Sequence, residues 1–287
     1  MMAVAVGVAG ICGCAGEKPP QPTASTQATA SSGTPSVAPS PRRAVSVKVP
    51  AGVRAGYVVF DRRSRKVLLQ HRVRQTVRSA SVVKILIALD QLGRGGDLAL
   101  MGKMLRSSDD KAATYFWRRG GQGQIIQRMA RKAGLTETVG PPAGKPGFWG
   151  YTALSAGDVL KTYRYLLEKA PKGHREFVVR ELGRATQCGT DGFDQFFGIP
   201  RAVPKPWAIK QGWSGFGDVP AVRCREGTFK PVAGPDLGLG RPVLHTTGIV
   251  GRRIFVVLTL QPVGSSFKAA SERVTRLTRD LYRASSR

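Results

Sequence analysis

Apolar and polar positions alternate with two different periods along this chain, and the change of period divides it. "AGYVVFDRRSRKVLLQHR" reads as two short apolar, β-branched runs, which predicts a hairpin of Tyr57 to Asp61 and Val67 to Arg72 joined by a polar turn. From about residue 79 the period becomes helical. A first helix starts near Ser79 to Ser81 and ends before "GRGGD", and a second is capped by Asp97 and runs through Leu105. "SSDDKAATYFWRRGG" starts a third, and "GQIIQRMARKAG" a fourth with Gly134 as its stop. "SAGDVLKTYRYLLEKA" opens on a Ser155/Asp158 capping box and turns Val159, Leu160, Tyr163, Leu166 and Leu167 inward; "HREFVVRELGRAT" continues the helical series to about Thr186. Strand-like runs then return as "PWAIKQGW", "VPAVRC", "PVLHTTGIV" and "RIFVVLTLQ", before a closing amphipathic helix from about Ser266 to Tyr282. Strands, helices, strands and a last helix imply an α+β domain. Its antiparallel sheet draws on both chain ends, is flanked by helices, and carries an inserted all-helical portion over about 93–186.

The N-terminal pattern is different. "MMAVAVGVAGICGC" is apolar but too short to span a bilayer, and residues 17–49 are Pro, Ser, Thr, Ala and Gly with almost no large apolar side chain. The expected organisation is a signal segment over 1–16, a disordered tether over 17–49 and the folded domain over 50–287. Ile11, Cys12, Gly13 and Cys14 resemble a bacterial lipobox, with Cys14 as the lipid-bearing first residue of the mature protein; an ordinary cleaved signal or an uncleaved anchor are the alternatives. No basic n-region precedes the apolar run, which suggests a start further upstream. This pattern places the protein on the extracytoplasmic face of the plasma membrane, or outside it if the lipobox is unused.

Composition narrows the partners. The 287 residues include 45 Lys plus Arg against 18 Asp plus Glu, a formal charge of +27, so polyanions are attracted. The cations are scattered, as at Arg62, Arg118, Arg128 and Arg252, with no stripe of interleaved aromatics, so nucleic acid is not the expected partner; anionic wall polymers and lipid head groups fit better. Cys188 and Cys224 remain once Cys12 and Cys14 are set aside, and an oxidising surrounding makes them one disulfide. His71, His174 and His245 stand far apart without metal-ligand spacing, so neither a metal nor a cofactor is expected.

Within the first helix, "RSASVVKILIALDQL" places Lys84 in an otherwise apolar run, three residues after Ser81 and on the same helical face. A buried lysine that snorkels is the bland reading; a nucleophile beside its base is the sharper one. Ser108-Asp109-Asp110 at a helix start is either a capping cluster or a second active-site element. Lys210-Gln211-Gly212 on a strand is either ordinary sheet or a third.

The three together resemble the Ser-x-x-Lys, Ser-Asp-Asn and Lys-Thr-Gly motifs of the β-lactamase and penicillin-binding protein superfamily of active-site serine enzymes, and the likeness runs from about Gly56 to the C-terminus. The resemblance implies a β-lactamase/transpeptidase-like fold. It assigns Ser81 as nucleophile, Lys84 as base made basic by apolar burial and by Lys210, Ser108 as proton relay and Lys210 as anchor for a substrate carboxylate. It also puts Asp110, Gln211, Gly212, Trp213 and Ser214 in the substrate site, with the backbone N–H groups of Ser81 and Trp213 as oxyanion donors. A D-alanyl peptide of peptidoglycan or a β-lactam is the implied acyl donor.

The sequence departs from the family pattern in four places. Asp110 stands where the family has Asn, and Gln211 stands where it has Thr, with Ser214 as a possible substitute hydroxyl. Ser81 and Ser108 are closer in sequence than in familiar β-lactamases. Finally, "VGPPAGKPGFWGYTALSAG" lacks the carboxylate that activates the deacylating water in class A enzymes. Acylation followed by slow turnover is the expectation, and a catalytically silent relative that binds wall peptide or a protein is the rival.

Overall fold

A computed structural model describes residues 47–217, 219–224 and 240–286; the predicted signal, lipobox and most of the tether lie outside them. The chain enters through β1 (Arg54–Asp61) and β2 (Lys66–His71), then the short β3 (Thr76–Arg78) and a 3-10 turn, Ala80–Val83. The helices follow as α1 (Lys84–Leu92), α2 (Leu98–Arg106), α3 (Asp110–Arg119) and α4 (Gly123–Ala133). After β4 (Ala153–Ser155) come α5 (Ala156–Glu168), α6 (Lys172–Gly183) and the single-turn α7 (Ile199–Ala202). The chain closes with β5 (Trp207–Ser214), β6 (Val243–Val250), β7 (Arg253–Leu260) and α8 (Phe267–Ser285).

Five strands form one sheet in the order β2-β1-β7-β6-β5, and every neighbouring pair is antiparallel. The two-residue period of its strands sorts side chains between two cores. Val58, Phe60, Ile254, Val256 and Leu258 join Val83, Ile87, Met104, Phe116 and Tyr163 of the helical side. Tyr57, Val59, Phe255 and Val257 turn the other way, onto Leu277 and Leu281 of α8. With both faces covered, β6 is buried along its whole length, which explains why the strands read as nearly continuous apolar runs.

Capping groups set the helix starts. Asp97 accepts from the Leu100 N–H, Asp109 from Ala112, Ser155 from Asp158 and Ser266 from Ala269, each worth ~1 kcal/mol. Gly134 ends α4 at φ 68°, a left-handed position open to glycine without strain.

Three local expectations change. "VPAVRC" is not a strand: Val222 is 84% exposed, Pro220 has no N–H to give a ladder, and Cys224 is held by Cys188 and by its N–H to the Gly192 carbonyl. The helix over 172–183 stops at Gly183, short of Thr186, whose N–H goes to the Arg106 carbonyl at the end of α2. The residues before α5 form β4, which pairs with β3 as a second, two-stranded ribbon.

Candidate active site

Ser81 sits in the 3-10 turn and Lys84 begins α1, so the change of helix type falls between them. Ala80 is held at φ 44°, a strained value for a residue with a Cβ, and this aims the Ser81 turn at β5. Ser81 is 6% exposed and Lys84 fully buried. The Lys84 ammonium reaches Ser81 Oγ at 2.9 Å, Ser108 O at 2.6 Å, Ser108 Oγ at 3.2 Å and Asp110 Oδ1 at 2.5 Å. The Trp149 ring covers it at 4.7 Å.

The surroundings of Lys84 are therefore not apolar as its helix suggested. The apolar neighbours in sequence wrap its stem, while its Nζ passes the end of α1 into a cage of oxygens supplied by the Ser108 turn. Ser108 can present both its carbonyl and its hydroxyl because it occupies the left-handed region, φ 57°. Its neighbour Asp109 is occupied in capping α3 and pairing with Lys103; burial pushes that carboxyl up, but the Ala112 N–H and Lys103 outweigh it and hold it below its usual range.

Lys210 approaches from β5, 1% exposed, and meets Ser108 Oγ at 2.9 Å and the Gln211 carbonyl at 3.3 Å. Burial and the Lys84 charge drive its amine well below the ordinary lysine range, against the opposing pull of Asp110 and Asp191. The Lys210 carbonyl is fixed from behind by Thr247 Oγ1 at 2.7 Å, which contacts the Tyr163 hydroxyl at 2.9 Å. One hydroxyl, Ser108, thus bridges two amines, and a second, Ser81, touches the first amine.

The predicted substrate residues divide. Gly212 brings β5 against the Ser81 turn: a Cβ there would lie 3.0 Å from the Ser79 carbonyl and 3.3 Å from Ser81 N. That approach brings the backbone following Gly212, at Trp213, alongside the Ser81 turn. Gln211 points away, donating to the Gln195 and Phe197 carbonyls, and so does not replace the threonine hydroxyl. The Trp213 indole donates to Asp191 Oδ2 at 2.9 Å, and Ser214 Oγ accepts from Arg78 at 3.4 Å. Asp110 is spent on Lys84. Cys188 and Cys224 are bonded, with their Cα atoms 5.5 Å apart, beside the turn that carries Asp191.

Three contributors were not singled out from sequence. Asp191 lies within the glycine- and aromatic-rich stretch "DGFDQFFGIP"; burial raises its carboxyl, and the Asp110 charge adds to that. Arg78 precedes the Ser81 turn by three residues and reaches the Ser214 and Arg241 carbonyls. His245, opposite Gly212 on β6, holds the Arg78 carbonyl through Nε2 at 2.9 Å and accepts the Thr259 N–H on Nδ1 at 3.1 Å. Only Asp191 had a signal, its glycine- and aromatic-rich setting; the others depend on pairings across the sheet.

No family model matches the chain. Among curated proteins, "Putative lipoprotein LppW" of Mycobacterium tuberculosis is 30% identical over 258 residues, spanning 84% of this chain and 73% of that protein, and its Mycobacterium bovis counterpart matches equally. The chain belongs to the LppW family. The fold of this LppW relative is β-lactamase-like: a class A β-lactamase from Mycobacterium abscessus superposes with a TM-score of 0.60 at 18% identity, covering 82% of this chain and 95% of that one. PBP-A does so with a TM-score of 0.59 at 15% identity, covering 83% and 92%. An α+β fold with an antiparallel sheet flanked by helices, expected from the order of strand and helix patterns, is what the chain adopts.

Proposed function

We propose that this protein is an exported, lipid-anchored serine acyltransferase or hydrolase that takes the acyl group of a D-alanyl peptide or β-lactam onto Ser81 and releases it slowly. The observation that carries the reading is the 2.9 Å contact of Ser81 Oγ with a buried Lys84 whose amine is joined through Ser108 to Lys210. A serine hydroxyl becomes a nucleophile when its proton has somewhere to go, and this chain of groups supplies a route. Slow release is supported by the stretch between Glu137 and Asp158, which contains no other carboxylate. Glu137 itself is engaged by Arg74 at 2.9 Å, and buried Asp158 is committed to the Glu137 N–H, Thr138 and Lys161.

Mass spectrometry of the soluble domain mixed with a penicillin tests this. A lasting adduct that disappears in Ser81→Ala supports the reading, and rapid loss of the drug would point to an efficient β-lactamase. The second reading, a silent relative that binds wall peptide, is favoured by the Lys84–Asp110 ion pair, which ties up the amine next to Ser81. Its sign is no adduct at any drug concentration.

A further inference from the structure

The hydrogen-bond inventory around the two lysines is unequal. Lys84 Nζ faces four oxygens, one of them a carboxylate at 2.5 Å. An ammonium has three N–H donors and no lone pair, which suits the carboxylate and the carbonyl of that cage; a neutral amine would leave the Asp110 charge without a counter-charge. Lys210 faces two neutral oxygens, and among the described residues no carboxylate lies within ion-pair distance of it. A neutral amine suits that place, with one N–H to the Gln211 carbonyl and its lone pair on the Ser108 hydroxyl. Only one direction of Ser108 then satisfies all three groups: Lys84 N–H donates to Ser108 Oγ, and Ser108 O–H donates to Lys210.

We propose that Lys210 is the resting proton acceptor of this site and that Lys84, pinned as an ammonium by Asp110, is the conduit through which the Ser81 proton reaches it. The inference rests on the acyl-enzyme reading above. In the acylation step the Lys84 ammonium passes a proton to Ser108 Oγ as Ser108 gives its own to Lys210. Lys84, now neutral, takes the Ser81 proton while Ser81 Oγ bonds to the acyl carbon and the carbonyl electron pair moves onto oxygen. When that pair returns and the bond to the leaving nitrogen breaks, Ser108 donates to the nitrogen and is refilled by Lys210. Both lysines are restored, and one proton has moved from Ser81 to the leaving group.

Every neighbouring element bears on this distribution. Asp110 of α3 holds the proton at Lys84, and Asp191, from the disulfide-bound turn, faces both amines. Asp109 is committed to Lys103 and its cap, and Tyr163 of α5 reaches Lys210 only through Thr247 and a carbonyl. Burial of the Lys210 amine, with the Lys84 charge beside it, agrees with the neutral form.

Side-chain 15N NMR of the lysine-labelled protein tests the assignment without any substrate. At pH 7 one Nζ should resonate as a neutral amine, remain in Lys84→Arg and vanish in Lys210→Arg, with Lys210→Met as the alternative if the arginine variant does not fold. Loss of that signal in Lys84→Arg but not in Lys210→Arg, or no neutral amine at pH 7, overturns the proposal. Because the spectrum needs no adduct, it speaks even if Ser81 proves unreactive, and a neutral Lys210 with no penicillin adduct would sink the acyl-enzyme reading alone. Where an adduct forms, Lys210→Arg should slow its formation about 100-fold or more, the usual contribution of a base.

Discussion

His245 offers a measurement that involves no substrate. Its imidazole is fully buried in β6, where backbone pairing with β7 lapses between the Val243–Leu260 and Thr246–Val257 steps, and the ring takes the Thr259 N–H instead. Nδ1 accepts there, so Nε2 carries the proton and donates to the Arg78 carbonyl. The Thr259 contact requires the neutral ring, and burial, the largest cause, together with the Arg78 charge pushes its pKa from 6.5 down to about 4, against the Arg78 carbonyl, which favours the charged form. At ~1.4 kcal/mol per tenfold, that difference amounts to roughly 3 kcal/mol. The sign follows from which state binds the proton. Above pH 6.5 neither state does and the contribution is complete; between 6.5 and about 4 the unfolded chain is protonated and the fold is not, so stability falls; below about 4 this residue removes no more. Urea unfolding of wild type and His245→Gln at pH 7.5, 6.5, 5.5 and 4.5 reads it. His71 and the carboxylates of Asp61, Asp109, Asp158 and Glu168 titrate alike in both proteins, so the difference isolates His245. The variant should start less stable and the gap should close by most of those 3 kcal/mol as the solution is acidified. A gap unchanged from pH 7.5 to 4.5 would refute the reasoning.

Three other outcomes are expected. Asp110→Asn removes the counter-charge on Lys84 and should speed adduct formation at least ~10-fold, since proton transfer from Lys84 then leaves no unpaired carboxylate behind; stopped-flow acylation checks this, and an unchanged rate counts against it. Gly212→Ala must push β5 from the Ser79 carbonyl by a few tenths of an ångström, so acylation should fall up to ~100-fold while thermal stability drops by less than ~1.5 kcal/mol; equal rates would show that the approach of β5 is not needed. Replacing Cys188 and Cys224 by serine opens a loop with a sequence separation of 36, which should lower unfolding free energy by up to ~4 kcal/mol in urea titrations.

The fold was legible because both periods were strong where burial was strong. Val58, Phe60, Val256 and Leu258 on one side and Tyr57, Val59, Phe255 and Val257 on the other follow from alternation alone. What the pattern could not give were groups whose environment comes from elsewhere in the chain. "VPAVRC" alternates as a strand would, yet Val222 is left exposed by the described residues. Lys84 looked embedded in hydrocarbon because its neighbours in sequence are apolar, whereas its amine is surrounded by residues 24 and 26 positions away. Gln211 stands where a substrate hydroxyl was wanted, and only the fold shows its amide spent on the loop that carries Phe197.

Asp191 stands on a turn that is joined covalently to the start of the long connection after β5. The carboxyl whose charge acts on Lys210 thus sits beside a bond that forms only when two thiols meet an electron acceptor. A polypeptide freshly made in a reducing compartment would hold the same side chains without the staple beside Asp191, so for this turn oxidation would be a step added to folding.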